Sequence, residues 1–309
     1  MSMLKRLLLP LAALGLLAAY LVFQWFPGGL SDKELAQYYG TPKPPPDGPL
    51  RVYHLGHSLV GHDMPVMLEQ LAGAGHSHAS QIGSYATLQS HWEPDIPVKG
   101  FEKANKHAAF QDPKEALQTG GFDALVLTER IGLSETIREA KTPEYVAKWA
   151  EMAWAANPDA EVYVYETWHF LTTKWGWLRR IDWDRLRHWQ AGITDQAVKD
   201  TGRAIRIIPA GTVMATFVRK VKSEGGVGGI TRAEDLFRDH IHFNDHGAYL
   251  VALTHYAVLY RKSPVGLPFD LKKADGTPMQ PLDPKAAALM QEMVWQVVST
   301  YRRAGVSGS

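Results

Sequence analysis

The residues of this sequence that could carry covalent chemistry are hydroxyls, imidazoles and carboxylates, because the chain contains no cysteine. That absence excludes a thiolate nucleophile, a thiolate zinc site and disulfides. The first candidate nucleophile is Ser58, which follows a short apolar segment in Gly56-His57-Ser58 and precedes a helical pattern starting at Pro65. Gly56 is expected to permit a tight turn, and a serine in such a turn can meet free N–H groups that stabilise an oxyanion. The alternative is that Ser58 only caps the next helix.

A second group of polar residues lies near the C-terminus, in segment 239–247 (DHIHFNDHG). A serine hydroxyl becomes a good nucleophile when a base accepts its proton, and the base needs an acid that fixes its tautomer. His242 can supply the base, and Asp239, three residues earlier, can supply the acid. The alternative is a polar cap for the helix that follows, but Asn244 and Asp245 suffice for that role.

The thirteen histidines make a metal-dependent hydrolase the main alternative to a serine mechanism. A His/carboxylate site could form from segment 239–246, with further imidazoles at positions 54, 57 and 62. However, His242 and His246 lie on opposite sides of the expected helix start, and the sequence has no HExxH helix. We therefore favour the serine mechanism and expect no metal and no other cofactor.

A parallel sheet can bring these two distant groups together. Short apolar segments bounded by turn signals predict five strands, at 51–55, 78–82, 124–127, 161–165 and 205–208. Helical patterns separate and follow them, at 65–74, 114–117, 143–155, 183–199, 213–222 and 246–260. This alternation predicts an α/β fold, a three-layer α/β/α sandwich with a parallel five-stranded sheet, and a C-terminal helix at 284–303 packed outside the core. Active sites of such sheets lie beyond the carboxyl ends of the strands.

In this order of elements, the two motifs resemble those of the SGNH (GDSL-like) hydrolase superfamily. Members of that family carry Gly-Asp-Ser or Gly-Asn-Ser after the first strand and Asp-x-x-His before the last helix. Segment 56–58 is similar to the first motif, with histidine in the middle position, and segment 239–242 is similar to the second. The resemblance covers roughly residues 50–260. It implies a flavodoxin-like SGNH fold and a serine esterase whose catalytic triad is Ser58, His242 and Asp239.

The resemblance also implies an oxyanion hole. The family builds it from the backbone N–H of the nucleophile, a glycine N–H after the second strand and an asparagine side chain after the third. Ser58 and Gly83 are similar to the first two donors, but the third strand is followed by Thr-Glu-Arg without an asparagine. We expect Arg130 to replace it, with Thr128 as another candidate. The alternative for Arg130 is an ion pair with a neighbouring glutamate, Glu129 or Glu135.

Segment 166–169 (ETWH) follows the fourth strand and is therefore expected near the cleft. Its aromatic and polar side chains suit stacking on sugar rings and recognition of hydroxyls, so Glu166, Trp168 and His57 are predicted to bind substrate. The alternative for most of the nearby tryptophans is hydrophobic packing. The expected substrate is a short acyl or acetyl ester, on a small molecule or on an envelope glycan.

The N-terminus begins with Lys5 and Arg6, followed by an apolar run from 7 to 23. This pattern predicts a single-pass membrane anchor in residues 1–26, or a signal segment if it is cleaved. Residues 27–49 are rich in Pro and Gly and predict a linker whose second half is a stiff spacer, before a hydrolase domain at 50–309. The basic N-terminus places that domain outside the inner membrane, in the periplasm, or outside the cell after cleavage.

The formal net charge is only +1, so no broad electrostatic field favours a nucleic acid or an acidic polymer. The expected partners are therefore the ester substrate and the inner membrane, without nucleic acid. A non-catalytic protein that keeps the fold for glycan binding, or an acyltransferase or its associated protein, stays open as an alternative function.

Overall fold

The protein is described by a computed structural model that covers residues 28–307. Its centre is a five-stranded sheet. The strands, named β1 to β5 in chain order, are Arg51–His57, Ser77–Gly83, Ala124–Leu127, Glu161–Tyr165 and Arg206–Ile208. Their spatial order is β2-β1-β3-β4-β5, and every neighbouring pair is parallel. The predicted α/β fold with a parallel five-stranded sheet is confirmed.

Helices cover both faces of the sheet. Helices α1 to α7 are Asp32–Tyr39, Asp63–Ala72, Leu88–Trp92, Phe101–Ala104, Pro113–Gln118, Leu133–Glu139 and Thr142–Ala156. Helices α8 to α12 are Trp177–Asp184, Asp195–Thr201, Ala210–Ser223, Asp245–Tyr260 and Pro284–Val298. A π-helical stretch, Arg185–Thr194, joins α8 to α9, and 3₁₀ turns lie at Ala233–Leu236 and Arg302–Ala304. Helices α1, α3, α4 and α6 were not predicted, because four to eight residues are too few to show an apolar period.

Alternate residues of β1, β3 and β4 enter two separate cores. Val52, Val126 and Tyr163 point to one face, where α2, α10, α11 and α12 cover them. Tyr53 and Leu125 point to the other face, under α1, α5, α7 and α9. Both sets are buried because side chains alternate along a strand and each face carries helices. The alternation explains why the strands read as continuous apolar runs.

Helix α12 belongs to the first core, so the prediction that the C-terminal helix packs outside the core is wrong. Ala286, Met290, Val294 and Val298 are buried. These residues recur at every fourth position and form one apolar stripe along the helix. That stripe faces α10 and α11, so α12 shares the hydrophobic core of these two helices.

Residues 28–49 pack against the domain, which differs from the predicted spacer. Leu30 is buried, and its N–H donates a hydrogen bond to the buried Asp195 carboxylate at 3.0 Å. The Tyr39 hydroxyl donates to the Ile205 carbonyl at 2.6 Å. In the proline-rich half, Lys43 forms a 2.9 Å ion pair with Glu161. Burying a side chain such as leucine stabilises by roughly 1.5–3 kcal/mol, which favours the docked segment over a free one.

The predicted anchor, residues 1–26, lies outside the described residues. Within residues 28–307, no helix combines the length and the apolar character that a membrane crossing needs. The anchor therefore stays a prediction from the sequence.

The docked N-terminal segment gives a test of this arrangement. We expect Tyr39→Phe to lower the free energy of unfolding by about 1 kcal/mol, because the Ile205 carbonyl loses its side-chain partner. Tyr38→Phe, on the half-buried neighbouring tyrosine, is the matched control and should change little. Urea denaturation of the three proteins measures the difference. Equal stability of Tyr39→Phe and the unchanged protein would contradict the docked position of α1.

Candidate active site

The two sequence motifs meet at the carboxyl edge of the sheet. His242 Nε2 lies 2.9 Å from Ser58 Oγ, although the two residues are 184 positions apart in the sequence. His242 Nδ1 lies 2.8 Å from Asp239 Oδ2. With the proton on Nδ1, the imidazole donates to Asp239 and accepts from the serine hydroxyl. The structure therefore brings the three predicted catalytic residues into one hydrogen-bonded chain.

Ser58 lies in a turn directly after β1. The Val60 N–H donates to the His57 carbonyl at 2.9 Å and closes that turn. Helix α2 begins at Asp63, and its N-cap residue is His62. Ser58 precedes this N-cap residue by four positions and therefore does not cap the helix. Its hydroxyl faces His242 instead.

Two glycines shape this turn in different ways. Gly61 has a φ of +64°, the left-handed conformation that glycine adopts without strain. Gly56 has no such angle, but a Cβ at this position would lie 2.4 Å from the methyl group of Thr128. Gly56 therefore allows β1 to approach the end of β3 closely, and the expected turn conformation belongs to Gly61.

The loop that carries His242 is closed by Asp239. Its Oδ1 accepts the N–H groups of Ile241 at 2.8 Å and of His242 at 2.7 Å. Burial raises the pKa of Asp239, but these two N–H groups and the His242 imidazole outweigh it and lower the pKa to about 2. Helix α11 is capped separately, by the Asn244 side chain that accepts the Gly247 N–H. Asp239 is therefore an ionised acid with no capping role.

Trp168 lies beneath this loop and not in the cleft. Its side chain is 2% exposed, and its indole N–H donates to the Ile241 carbonyl at 2.8 Å. The rings of Phe237 and Phe243 pack against it at centroid distances of 5.8 and 5.9 Å. The predicted stacking on a sugar is therefore wrong, because the ring is fully packed. Trp168 instead holds the loop of His242 in place.

Glu166 is also buried, which contradicts its predicted contact with substrate. Its carboxyl group accepts the Thr212 N–H at 2.7 Å, the Thr212 hydroxyl at 2.6 Å and the Tyr301 hydroxyl at 2.9 Å. Burial raises the pKa of Glu166 to about 7, against the effect of these hydrogen bonds. Glu166 therefore joins the end of β4 to the start of α10 and to the C-terminal segment.

His57 is nearly buried but lies in the wall of the cleft. Its Nε2 is 2.9 Å from the Glu129 carbonyl, so this nitrogen carries the proton, and Nδ1 accepts the Leu59 N–H at 3.4 Å. Burial lowers the pKa of His57 to about 4, which keeps the ring neutral at neutral pH. Both ring nitrogens thus hold the Ser58 turn against the end of β3, and a substrate contact stays a prediction.

Arg130 lines the cleft and also makes the ion pair that was its alternative. Its Nη2 lies 2.6 Å from Glu135 Oε1, and its Nη1 donates to the Ile131 carbonyl at 3.3 Å. The guanidinium lies 4.4 Å from the centroid of the Tyr85 ring. Glu129, the other proposed partner, accepts the backbone N–H of Arg130 at 2.9 Å. The role of Arg130 as an oxyanion donor stays a prediction.

Gly83 is the last residue of β2 and lies opposite His57 in the sheet register. A Cβ at this position would lie 2.5 Å from a methyl group of Val98 and 2.7 Å from Ala86, so the packing requires glycine. The next residue, Ser84, lines the cleft, but its N–H donates to the Lys99 carbonyl at 2.7 Å. The Gly83 N–H thus lies on the strand next to the one that precedes Ser58. Its role as an oxyanion donor stays a prediction.

The cleft over Ser58 is a cavity of about 290 Å³. Tyr85, Ile131 and Phe170, which sequence reasoning did not select, are among the residues that line it, and so is His240, which was considered only as a candidate metal ligand. Phe170 and His240 stack at a centroid distance of 5.2 Å, and Tyr85 is 53% exposed at a φ of +56°. Tyr85 and Phe170 follow β2 and β4. Because active sites of such sheets lie beyond the carboxyl ends of the strands, both residues could have been identified from the sequence. The choice among adjacent residues depended on side-chain direction, which the sequence does not show.

The histidines of the metal alternative face different partners. His240 stacks on Phe170, His242 binds Asp239 and Ser58, and His246 Nε2 lies 3.1 Å from the Pro281 carbonyl. Within residues 28–307, no group of three or more His, Asp or Glu side chains could hold a metal ion. Of the polar residues in segment 239–247, Asp239 and His242 form the hydrogen-bonded chain with Ser58, while His240 and His246 have other partners.

No protein-family model matches this sequence, and no curated protein matches it. Among solved structures, the fold is similar to the crystal structure of a DUF4886 family protein from Bacteroides uniformis ATCC 8492. The two chains are 16% identical, the match covers 82% of this chain and 96% of the other, and the TM-score is 0.54. At this level of identity the likeness shows the fold alone.

The buried acid Glu166 predicts a pH dependence of stability. Its pKa is about 7 in the folded protein, against an ordinary value of 4.5. Between these values the unfolded chain releases a proton that the folded protein keeps, so stability falls as the pH rises through this window and levels off above about 7. The free energy of unfolding of Glu166→Gln, taken relative to that of the unchanged protein, should therefore increase by up to roughly 3 kcal/mol as the pH rises from 4.5 to 7.

Urea denaturation at several pH values measures this difference. Glu151→Gln, at an exposed position on α7, is the control for the loss of one surface carboxylate. A stability difference between Glu166→Gln and the unchanged protein that stays constant with pH would show that Glu166 has an ordinary pKa.

Proposed function

We propose that this protein is a serine esterase of the SGNH hydrolase type, with Ser58 as nucleophile, His242 as general base and Asp239 as the orienting acid. One observation carries the proposal: the hydrogen-bonded chain from the Ser58 hydroxyl through His242 to Asp239. Nucleophile and base at hydrogen-bonding distance, with the base oriented by a third group, is the arrangement that activates a serine.

The place of Ser58 in the sheet supports the proposal. In the order β2-β1-β3-β4-β5, the direction of chain winding reverses between β1 and β3. Ligands of doubly wound sheets bind at such a switch point, beyond the carboxyl ends of the strands. Ser58 follows β1 and Arg130 follows β3, so both sides of the crevice carry residues of the proposed site. The strand order is also that of the flavodoxin-like SGNH fold that the resemblance implies.

The proposed reaction proceeds in two halves. Ser58 Oγ attacks the ester carbonyl while its proton passes to His242 Nε2, and Asp239 stabilises the imidazolium that forms. Backbone N–H groups of Ser58 and Gly83, with Arg130 as a third donor, hold the oxyanion. His242 returns the proton to the leaving alcohol, which leaves an acyl group on Ser58. Water then attacks this acyl group and gives a proton to His242. His242 passes that proton to Ser58 Oγ as the bond between Oγ and the acyl carbon breaks, which releases the acid and restores the serine.

The size and lining of the cleft support a short acyl group. Its volume of about 290 Å³ is at the lower end of the range for ligand pockets, about 300–1,000 Å³. Leu59, Ile131 and Phe170 give it apolar walls. The exposed Tyr85 ring and the stacked pair of Phe170 and His240 offer aromatic surface for a sugar ring, the role that was predicted for Trp168.

The substrate that fits these features is an acetyl or other short acyl ester on a glycan of the cell envelope. This part of the proposal combines the cleft with the N-terminal sequence, whose basic end and apolar run predict an inner-membrane anchor and a periplasmic domain.

The triad predicts the effect of three substitutions on turnover. Ser58→Ala and His242→Ala should each lower kcat for p-nitrophenyl acetate by about 10³-fold or more, because each removes a member of a unit that acts together. His246→Ala, four residues along the same segment, is the matched control and should keep most of the activity, since His246 contacts only the Pro281 carbonyl.

Covalent labelling by a fluorophosphonate provides an independent readout. The mass of the labelled peptide should locate the modification at Ser58, and Ser58→Ala should abolish it. Unchanged labelling of Ser58→Ala, or full turnover in His242→Ala, would exclude the proposed mechanism.

The third oxyanion donor is tested by Arg130→Gln. If Arg130 contacts the oxyanion, kcat should fall by about 10- to 100-fold with little change in KM, because the interaction forms only in the transition state. Arg138→Gln, an arginine on the exposed side of α6, is the matched control. A rise in KM at constant kcat would instead assign Arg130 to the binding of substrate in its ground state.

A further inference from the structure

A second cavity, of about 450 Å³, lies at the β5 side of the sheet and shares no residue with the cleft over Ser58. Its walls come from the π-helical stretch, the first turns of α10 and the segment after α12. Four arginines line it: Arg185, Arg219, Arg302 and Arg303. One carboxylate, Asp182, lines the same cavity, so the charged side chains of this lining are mostly basic.

Two of these four charges are neutralised inside the protein. Arg219 forms a 2.6 Å ion pair with Asp182, and Arg303 binds the buried Asp195 through two hydrogen bonds of 2.8 and 2.7 Å. Among the described residues, no carboxylate pairs with the other two arginines, Arg185 and Arg302. Arg185 is half-buried, and a cation that is partly removed from water without a partner costs free energy that an anionic ligand would offset, whereas Arg302 is exposed.

Of these two arginines, Arg185 is the less exposed to solvent. It is half-buried, and its charge acts on the Glu166 carboxyl and the Tyr301 hydroxyl at the base of the cavity. Burial raises the pKa of Glu166 to about 7, so at neutral pH this acid compensates Arg185 only in part. The positive charge of Arg185 is therefore left for a ligand.

A network of hydrogen bonds holds the walls of the cavity in place. The Arg303 guanidinium donates to Gln190 Oε1 at 3.1 Å, and Gln190 Nε2 donates to the Tyr301 hydroxyl at 2.9 Å. Tyr301 in turn donates to Glu166. The network thus joins Tyr301 and Arg303, the two neighbours of Arg302, to Gln190 on the helical stretch that carries Arg185, and both arginines line the same cavity.

We propose that this cavity binds a phosphate group, carried by a soluble phosphate ester or by a lipid headgroup. The planar guanidinium donates two parallel hydrogen bonds to phosphate oxygens, and Arg185 and Arg302, which form no ion pair with a described carboxylate, supply positive charge that suits a phosphate. The volume of about 450 Å³ holds the phosphate and part of the molecule that carries it. The site is separate from the proposed ester chemistry and does not depend on it.

Isothermal titration calorimetry of the full-length protein at constant ionic strength tests the proposal, with inorganic phosphate as the first probe. Arg185→Gln and Arg302→Gln should each raise the Kd for phosphate by roughly tenfold, the loss of a charge-assisted hydrogen bond. Arg187→Gln is the matched control, because Arg187 lies on the same stretch, stacks on Trp183 and does not line the cavity. Its Kd should equal that of the unchanged protein.

Two further probes distinguish the sources of the phosphate. Glycerol 3-phosphate represents a soluble ester and dihexanoyl phosphatidate a lipid headgroup, and the source is the one that binds more tightly than inorganic phosphate. Thermal unfolding without phosphate checks that each variant is folded, and the exposed Arg302 gives a variant with little effect on packing. The proposal is overturned if the unchanged protein binds none of the three probes below about 10 mM, or if Arg187→Gln weakens binding as much as Arg185→Gln.

Discussion

The hydrogen bond between His242 and Ser58 requires two loops from distant parts of the chain to be held within a fraction of an ångström. Both loops are held by the end of β4. The Tyr165 hydroxyl donates to the Leu59 carbonyl at 3.0 Å, directly after Ser58, and Trp168 binds the carbonyl of Ile241, directly before His242. One short segment of β4 and its extension therefore fixes the distance between nucleophile and base.

The end of β3 supports the nucleophile from the other side. His57 binds the Glu129 carbonyl, and the buried Glu129 carboxyl accepts hydrogen bonds from Arg130, Leu88 and Thr142. Burial raises the pKa of Glu129 to about 7, against the effect of these bonds. Backbone groups beyond a strand end lack sheet partners, and side chains satisfy them here. An acid buried at such a position reduces stability at neutral pH, which is typical of residues retained to shape a functional site.

The sequence predicted the features that depend on local patterns and failed where long-range contacts decide. Strand Ala124–Leu127 had the predicted bounds because it is a short, entirely apolar run between turns. Ser58 and Asp239–His242 were identified because few residue types can activate a hydroxyl, and each motif follows or precedes a regular element. The burial of Trp168 could not be predicted, because its partners Phe237, Ile241 and Phe243 come about 70 positions later.

The N-terminal segment is a second case in which contacts between distant residues could not be predicted from the sequence. Its proline content indicated a spacer, since proline-rich chains are stiff and have few internal hydrogen bonds. Its docking depends on Asp195 and Ile205, which lie more than 160 positions away and become neighbours only when β5 joins the sheet. Composition therefore does not show whether a surface is available for the segment to bind.

In the proposed mechanism, the exposure of the triad limits how Asp239 can assist catalysis. The Asp239 side chain is 40% exposed and that of His242 is 28% exposed, so solvent screens the attraction between the carboxylate and an imidazolium. The contribution of Asp239 must then come mainly from orientation, since its two oxygens hold both the backbone and the ring of His242. An open triad also lets water reach the acyl group without a lid and leaves room for an ester on a large glycan. This exposure supports the proposal of an esterase for exposed polymer substituents over one for a small molecule enclosed in a deep pocket.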